Sequence, residues 1–237
     1  MRGWKHDSTE PRVFGLIAAA AFFAGIHLGV AGTGLRDRLT GAVGEAAYMV
    51  GFSVASVAGV MWLVYAYRHA PYLPLWGQPD WWKPVAIILM LPAFLLVVAG
   101  LTTPNPTAVA QGGLAVQPPQ GIVRVTRHPF LIGTTIWALV HLVANGDLAS
   151  LLLFGSLAFV AAAGTVSIDA KRRRRLGPAA WDGFAGTTSV LPYAAVLAGR
   201  ARVSLRDIGA WRLAAGAVAY ALMLGGHAHI IGVSPFP

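Results

Sequence analysis

The length of its apolar runs limits most tightly what this chain can become. A helix rises about 1.5 Å per residue and the hydrocarbon core of a bilayer is about 30 Å thick, so about 20 apolar residues suffice to cross it. Six stretches reach or approach that length, at about 13–34, 44–66, 84–102, 129–144, 149–168 and 211–232. Only 11% of the 237 residues are charged, against about 25% in a soluble domain. The pattern predicts an all-α, polytopic membrane helix bundle of about six transmembrane helices, forming one integral membrane domain over residues 1–237.

The segments between the runs refine this. The fourth run is short, and Pro129 can open it as a first-turn residue whose missing N–H costs nothing. Pro92 is expected to kink the third run. The first run is followed by no small-residue cleavage pattern, so it is expected to stay as a helix rather than leave as a signal peptide. "YAYRHAPYLPLWGQPDWWK" is dense in Tyr, Trp and Pro and reads as an interfacial loop. "TTPNPTAVAQGGLAVQPPQG" is too rich in Pro and Gly to span. Residues 189–199 are apolar but too few to cross, which predicts a short interfacial or re-entrant segment.

The sequence carries 18 Lys and Arg against 9 Asp and Glu. In a membrane protein such an excess points to topology and the anionic lipid surface, with no nucleic acid as partner. Nine of the 18 fall between Asp169 and Arg212. The positive-inside rule places that loop in the cytoplasm and, with six spans, both termini outside. Arg2, Lys5 and Arg12 are the cations that oppose this orientation.

Cysteine is absent, so disulfides, thiolate metal sites, cysteine nucleophiles and iron–sulfur clusters are excluded. No phosphate loop, dinucleotide fingerprint or Ser/His/Asp grouping appears. The acidic residues lie in loops or at helix ends, so no carboxylate pair sits inside the bilayer. The runs do contain histidine: His27, His141, His227 and His229, with His128 at the mouth of the fourth. Ionisable residues at such depth are functional candidates.

His27 shares a helix face with Ala20, Ala24 and Ala31, against which a flat cofactor could lie. Alternatively Gly25 and Gly29 form a GxxxG contact with another helix. His141 shares a face with Thr134, Trp137 and Asn145, and Asn145 could orient its imidazole through the second nitrogen. A packing role is the alternative there too. His227 and His229 lie two apart near the outer end of the last run and point to different faces. Arg127-His128-Pro129 puts a cation and an imidazole at a helix start, which suits a phosphate or carboxylate. An Arg that snorkels to headgroups and a His that caps the turn are the simpler account. His128 and His141 are thirteen residues apart, about 20 Å along a helix, so they cannot share one metal ion.

"IHLGVAGTGLRDRL", "AGLTTPNPTAV", "VRVTRHPFLIGTTIWALVHLVANGDLASLLLFG" and "GVSPFP" resemble the NnrU family of bacterial membrane proteins, and the likeness runs through nearly the whole chain. The resemblance implies a multi-pass protein of the bacterial cytoplasmic (inner) membrane, linked to denitrification through nitrite and nitric oxide reductases. The 15-cis-zeta-carotene isomerases of plants and cyanobacteria are similar to this family and bind haem b through two histidines. Carried over, that implies haem b as cofactor, His27 and His141 as metal ligands, and a redox, sensing or isomerase role on a hydrophobic small molecule such as a polyene. Leu28 follows His27 where the isomerases carry Ser. In this reading Asn145 supports His141, while Arg127 and His128 serve the anion site.

Two other functions stay open. Arg127-His128-Pro129-Phe130-Leu131-Ile132-Gly133 also resembles the segment by which membrane methyltransferases hold S-adenosylmethionine, although the aromatic is displaced and only Asp169 follows the next run. A non-catalytic accessory role in assembling denitrification reductases is the third reading.

Overall fold

The structure is a computed structural model that describes residues 9–108 and 111–237. Arg2 and Lys5, which enter the charge count, lie outside these residues. The long helices are α1 (Thr9–Ala24, continued by a π-helical stretch Gly25–Val30), α3 (Glu45–His69), α4 (Trp82–Thr102), α5 (Pro129–Asn145), α6 (Leu148–Leu176) and α10 (Ala210–Ile231). Short helices α2 (Leu35–Val43), α7 (Pro178–Gly186), α8 (Ala194–Leu197) and α9 (Leu205–Ile208) join them. Among the described residues there is no strand, only an isolated bridge between Pro74 and Asp147.

Among the described residues five helices are long and apolar enough to span a bilayer, at Glu10–Val30, Glu45–His69, Trp82–Thr102, Leu148–Leu176 and Ala210–Ile231, while Pro129–Asn145 is a shorter apolar helix. The chain is a multi-pass, all-α membrane bundle. Pro92 lies inside α4, which stays one helix. Large apolar side chains such as Phe14, Val50, Ile88, Phe159 and Leu222 face outward, as expected where the surroundings are lipid.

Each helix crosses in the opposite sense to the one before it. On one face the loop after α3 meets the α5–α6 turn, where the carbonyl of Gly146 accepts from the amides of Leu75, Trp76 and Gly77. Gly146 has φ +61° there, and the backbone of Gly77 fills the space a side chain would need. Asp147 then caps α6, accepting from the Ser150 amide. The opposite face collects α2, the loop 103–128 and α7 to α9. The thirteen cations from Arg36 to Arg212, leaving aside Arg68 and Lys83, group at that face, as the loop charges predict.

Much of the cationic run in the last turns of α6 is engaged by the protein itself. Lys171 donates to the Ala31 carbonyl (3.2 Å) and Arg172 to that of Ala108 (2.6 Å). Arg173 pairs with Asp182 and Arg175 with Asp37. Residues 189–199 pack beneath the start of α5, with Ser189 and Ala195 buried and the Tyr193 amide donating to the Val125 carbonyl.

α4 and α5 approach closely because two glycines face the contact. A methyl group on Gly133 would stand 2.8 Å from the Ala93 carbonyl and from Val97, and one on Gly100 would stand 2.8 Å from the Phe130 amide. One core joins α1, α3, α5 and α6 through Leu16, Phe23, Leu63, Ala138 and Phe154. A second joins α4, α5 and the inner loops through Leu96, Ile122, Val125 and Ile208.

Candidate functional site

The Arg127-His128-Pro129 elbow is a closed knot. Its backbone is clamped from both sides: the Arg127 amide donates to the Ser189 carbonyl (2.9 Å), and Thr107 and Asn105 donate to the Arg127 carbonyl (2.8 and 3.3 Å). The Thr126 hydroxyl donates to the Val190 carbonyl at 2.6 Å. Into this clamp α6 delivers Asp169. One carboxylate oxygen accepts from Nε and Nη2 of Arg127 at 2.9 and 2.6 Å, and the other pairs with Nε2 of His128 at 2.7 Å. His128 is 1% exposed, not at a wet mouth. A carboxylate only accepts, so the imidazole carries its proton on Nε2. Nδ1 of His128 is buried without a partner among the described residues. The anion at the elbow is therefore the chain's own Asp169, and an external phosphate or carboxylate would have to displace it.

The intramembrane histidines are built differently. His27 sits in the π-helical stretch, with Nδ1 against the Phe23 carbonyl at 2.8 Å and its ring against Phe23 and Phe52. π-helical turns cluster at functional sites. The GxxxG alternative finds no contact, since a methyl group on Gly25 or Gly29 would meet nothing within 4 Å. His141 holds Nδ1 against the Trp137 carbonyl at 2.8 Å and packs against Trp137, Phe154 and His227. Asn145 does not reach the imidazole. Its amide donates to the His141 backbone carbonyl at 2.7 Å, because helical side chains lean toward the N-terminus and the ring has turned to Trp137 instead. His229 lies exposed near the end of α10.

Below His141 an apolar cleft of about 210 Å³ opens between α4 and α5, lined by Ala93, Phe94, Val97, Thr134 and Trp137. Tyr220 of α10 stands edge-on to Phe94 at 5.9 Å and donates to the Ile87 carbonyl. Thr134 is the one polar lining residue, and its hydroxyl is taken by the Phe130 carbonyl. The cleft therefore offers hydrocarbon and aromatic contact and almost no hydrogen bonding.

The NnrU protein family model matches residues 15–235. This chain belongs to the NnrU family. It is also 29% identical over 202 residues to a chloroplastic 15-cis-zeta-carotene isomerase of Arabidopsis thaliana, a match covering 81% of this chain and 53% of that protein. The corresponding enzyme of Zea mays is 29% identical over 205 residues, covering 79% of this chain and 52% of its own length. The chain spans about half the length of these curated relatives. No solved structure matches it.

The family likeness implies haem b held by His27 and His141, and the bundle allows a test of that pair. His27 rests on Phe52 near the start of α3, whereas His141 packs on Phe154 of α6, which in turn meets Tyr67 near the far end of α3. Phe52 and Tyr67 are separated by about 22 Å of helix. The two imidazoles lie at different depths and share no neighbouring ring, while two nitrogens on one iron must come within about 4 Å of each other. Each histidine alone has ligand chemistry, since a carbonyl fixes the proton on Nδ1 and leaves Nε2 a lone pair. As a pair on one iron they do not fit this arrangement.

Proposed function

We propose that this NnrU protein takes a hydrophobic polyene from the bilayer into the cleft between α4 and α5 and promotes isomerisation of its double bonds. The cleft carries the proposal: its walls are Phe94, Trp137, Val97 and Ala93, and its one hydroxyl is already satisfied. Such a wall suits a conjugated hydrocarbon and rejects a polar substrate, whose groups would be desolvated without partners. The names of the chloroplastic relatives support the same substrate class. The methyltransferase reading is the weaker one, because Asp169 already takes both donors of the elbow that would hold S-adenosylmethionine.

The test uses the purified full chain in lipid nanodiscs, with 15-cis-zeta-carotene added. Quenching of Trp137 fluorescence, absent in Trp137→Phe, and a time-dependent change in the isomer ratio by chromatography are expected. Binding without isomerisation removes the catalytic part. No binding at all removes the proposal and leaves the accessory role beside nitrite and nitric oxide reductases.

A further inference from the structure

The face that gathers the cations treats them unequally. Arg173 and Arg175 are each paired with a carboxylate, Asp182 and Asp37. Lys171 and Arg172 form no salt bridge with a described carboxylate, and the groups they meet are the neutral carbonyls of Ala31 and Ala108. Asp169, one turn before Arg172, is taken by the elbow. A carbonyl accepts a hydrogen bond but leaves the charge of its donor unbalanced.

Arg36 joins them from α2. The turn before α2 packs tightly on α6: the Ser167 hydroxyl donates to the Gly32 carbonyl at 3.5 Å, and a methyl group on Gly32 would stand 2.7 Å from that hydroxyl. Arg36, four residues on, is thereby close enough to Lys171 and Arg172 for the three charges to repel. Its side chain is only 9% exposed, with Nη2 on Glu45, Cζ 5.2 Å from the Tyr48 ring centre and Nη1 3.7 Å from Asp37, which Arg175 already holds. Nη1 has no hydrogen-bond partner among the described residues, and neither have the buried Tyr48 hydroxyl and Nε of Arg172. Asp37 and Glu45 are left to balance Arg36, Lys171, Arg172 and Arg175. Buried donors in such surplus are costly until an acceptor meets them.

The surface of α2 indicates what carries that acceptor. Leu35, Leu39 and Val43 are spaced four apart, so they share one helix face, and all three are exposed. A short helix with an apolar stripe beside cations lies in the headgroup layer, where acyl chains meet the stripe and phosphates meet the cations. Basic pockets between membrane helices lodge anionic headgroups in the same way. We propose that Arg36, Lys171 and Arg172, with the Tyr48 hydroxyl, hold the phosphate of one anionic phospholipid whose acyl chains pass the apolar face of α2. Its oxygens supply the charged acceptors that carbonyls and shared carboxylates do not. Lipid binding here does not depend on the polyene reading, and its test measures no isomerisation, so either can fail alone.

The full chain, delipidated in detergent, is titrated with phosphatidylglycerol or phosphatidylcholine and followed by native mass spectrometry. The wild type should retain a single phosphatidylglycerol and bind it more tightly than phosphatidylcholine, whose choline cation the surplus positive charge repels. Arg36→Gln and the double variant Lys171→Gln/Arg172→Gln should each weaken that binding about tenfold or more, as the loss of a charge-assisted hydrogen bond does. Arg206→Gln, which removes an exposed cation of α9, should stay within about twofold of the wild type. Equal losses in all three variants would reduce the site to diffuse surface charge and overturn the proposal. Equal binding of the two lipids, or no binding, would overturn it too. Displacement of the lipid by millimolar inorganic phosphate would overturn it in favour of a free-anion site. Where Arg36→Gln does not fold, the double variant decides, since its two residues have neutral partners, and an unchanged affinity there overturns the proposal.

Discussion

The two ends of α5 treat their polar side chains in opposite ways. At the inner end Arg127 and His128 lie behind Pro129, tied to Asp169 by three contacts of 2.6 to 2.9 Å. Two glycines there let α4 and α5 meet without a gap. At the other end His141 is fixed through one nitrogen only, and one turn before it Trp137, with Thr134, lines the cleft that opens beside the glycine contact. A polar group whose donors are all met by its own chain reads as architecture. One held in place with a lone pair to spare reads as a ligand. The elbow, the more distinctive motif in the sequence, has its donors taken by Asp169 and is the latch of the bundle, whereas the plainer "WALVHLV" borders the cleft on which the proposed function rests.

Removing the latch should have the largest effect. Asp169→Ala leaves the Arg127 guanidinium buried without its counter-charge, a change that costs about 3 kcal/mol or more. A large fall in the Tm of the detergent-solubilised protein, or failure to recover it folded, is the expected outcome. A Tm close to wild type would mean that the elbow is an open anion site after all. Gly133→Leu should come next, costing about 1–3 kcal/mol, because a larger side chain at a tight contact forces the α4 backbone aside. An equivalent loss should not follow Gly25→Leu, where the structure leaves open space.

How much of this was legible in advance follows from the range of each signal. The spans are local, since twenty apolar residues announce themselves, and the short fourth run, with its opening proline, was visible as α5. The gathering of the cations at one face could be read because cations mark loops one by one. Asp169 escaped as the partner of the elbow because it lies about forty residues downstream, beyond any helical periodicity. Its one clue was to be the last acid before the cationic run, at the inner end of α6 as Arg127 is at the inner end of α5. The depth mismatch of His27 and His141 was hidden for a related reason. Depth within one helix can be counted, but the offset between α1 and α5 depends on how both lean on α3 and α6. Asn145 misled through a true spacing: four residues on, it shares the face of His141, yet its amide reaches the carbonyl before it can reach the ring.

The outer end should respond to truncation through ligand affinity more than through stability. Trp137→Ala removes one wall of the cleft, and a polyene should bind about tenfold more weakly, close to 1.4 kcal/mol, as read by displacement from nanodiscs. Its Tm should fall by less than that of Gly133→Leu. The reverse order would show that Trp137 belongs to the core it touches at Phe154 more than to the cleft.

The smallest effect should come from the inner face outside the bilayer, where Asp207 closes a capping box at the start of α9. Its carboxylate accepts from the amide of Ser204 at 2.8 Å and from the hydroxyl at 3.0 Å, and Arg124 stands 3.4 Å away. Those hydrogen bonds, the backbone one foremost, hold its carboxyl below the usual carboxylate range. A lowered folded-state value means that the contribution is complete above the ordinary aspartate value, about 3.9, and is lost as pH falls through the lower folded one. The Tm of the wild type and of Asp207→Asn should therefore differ slightly and by a constant amount near neutral pH, and converge only in strong acid. The measurement is a pair of melting curves taken from pH 7 downward in detergent. A gap that instead closes between pH 7 and 5 would mean that the box is not formed, and that α9 is held against Ile122 and Val125 by Ile208 alone.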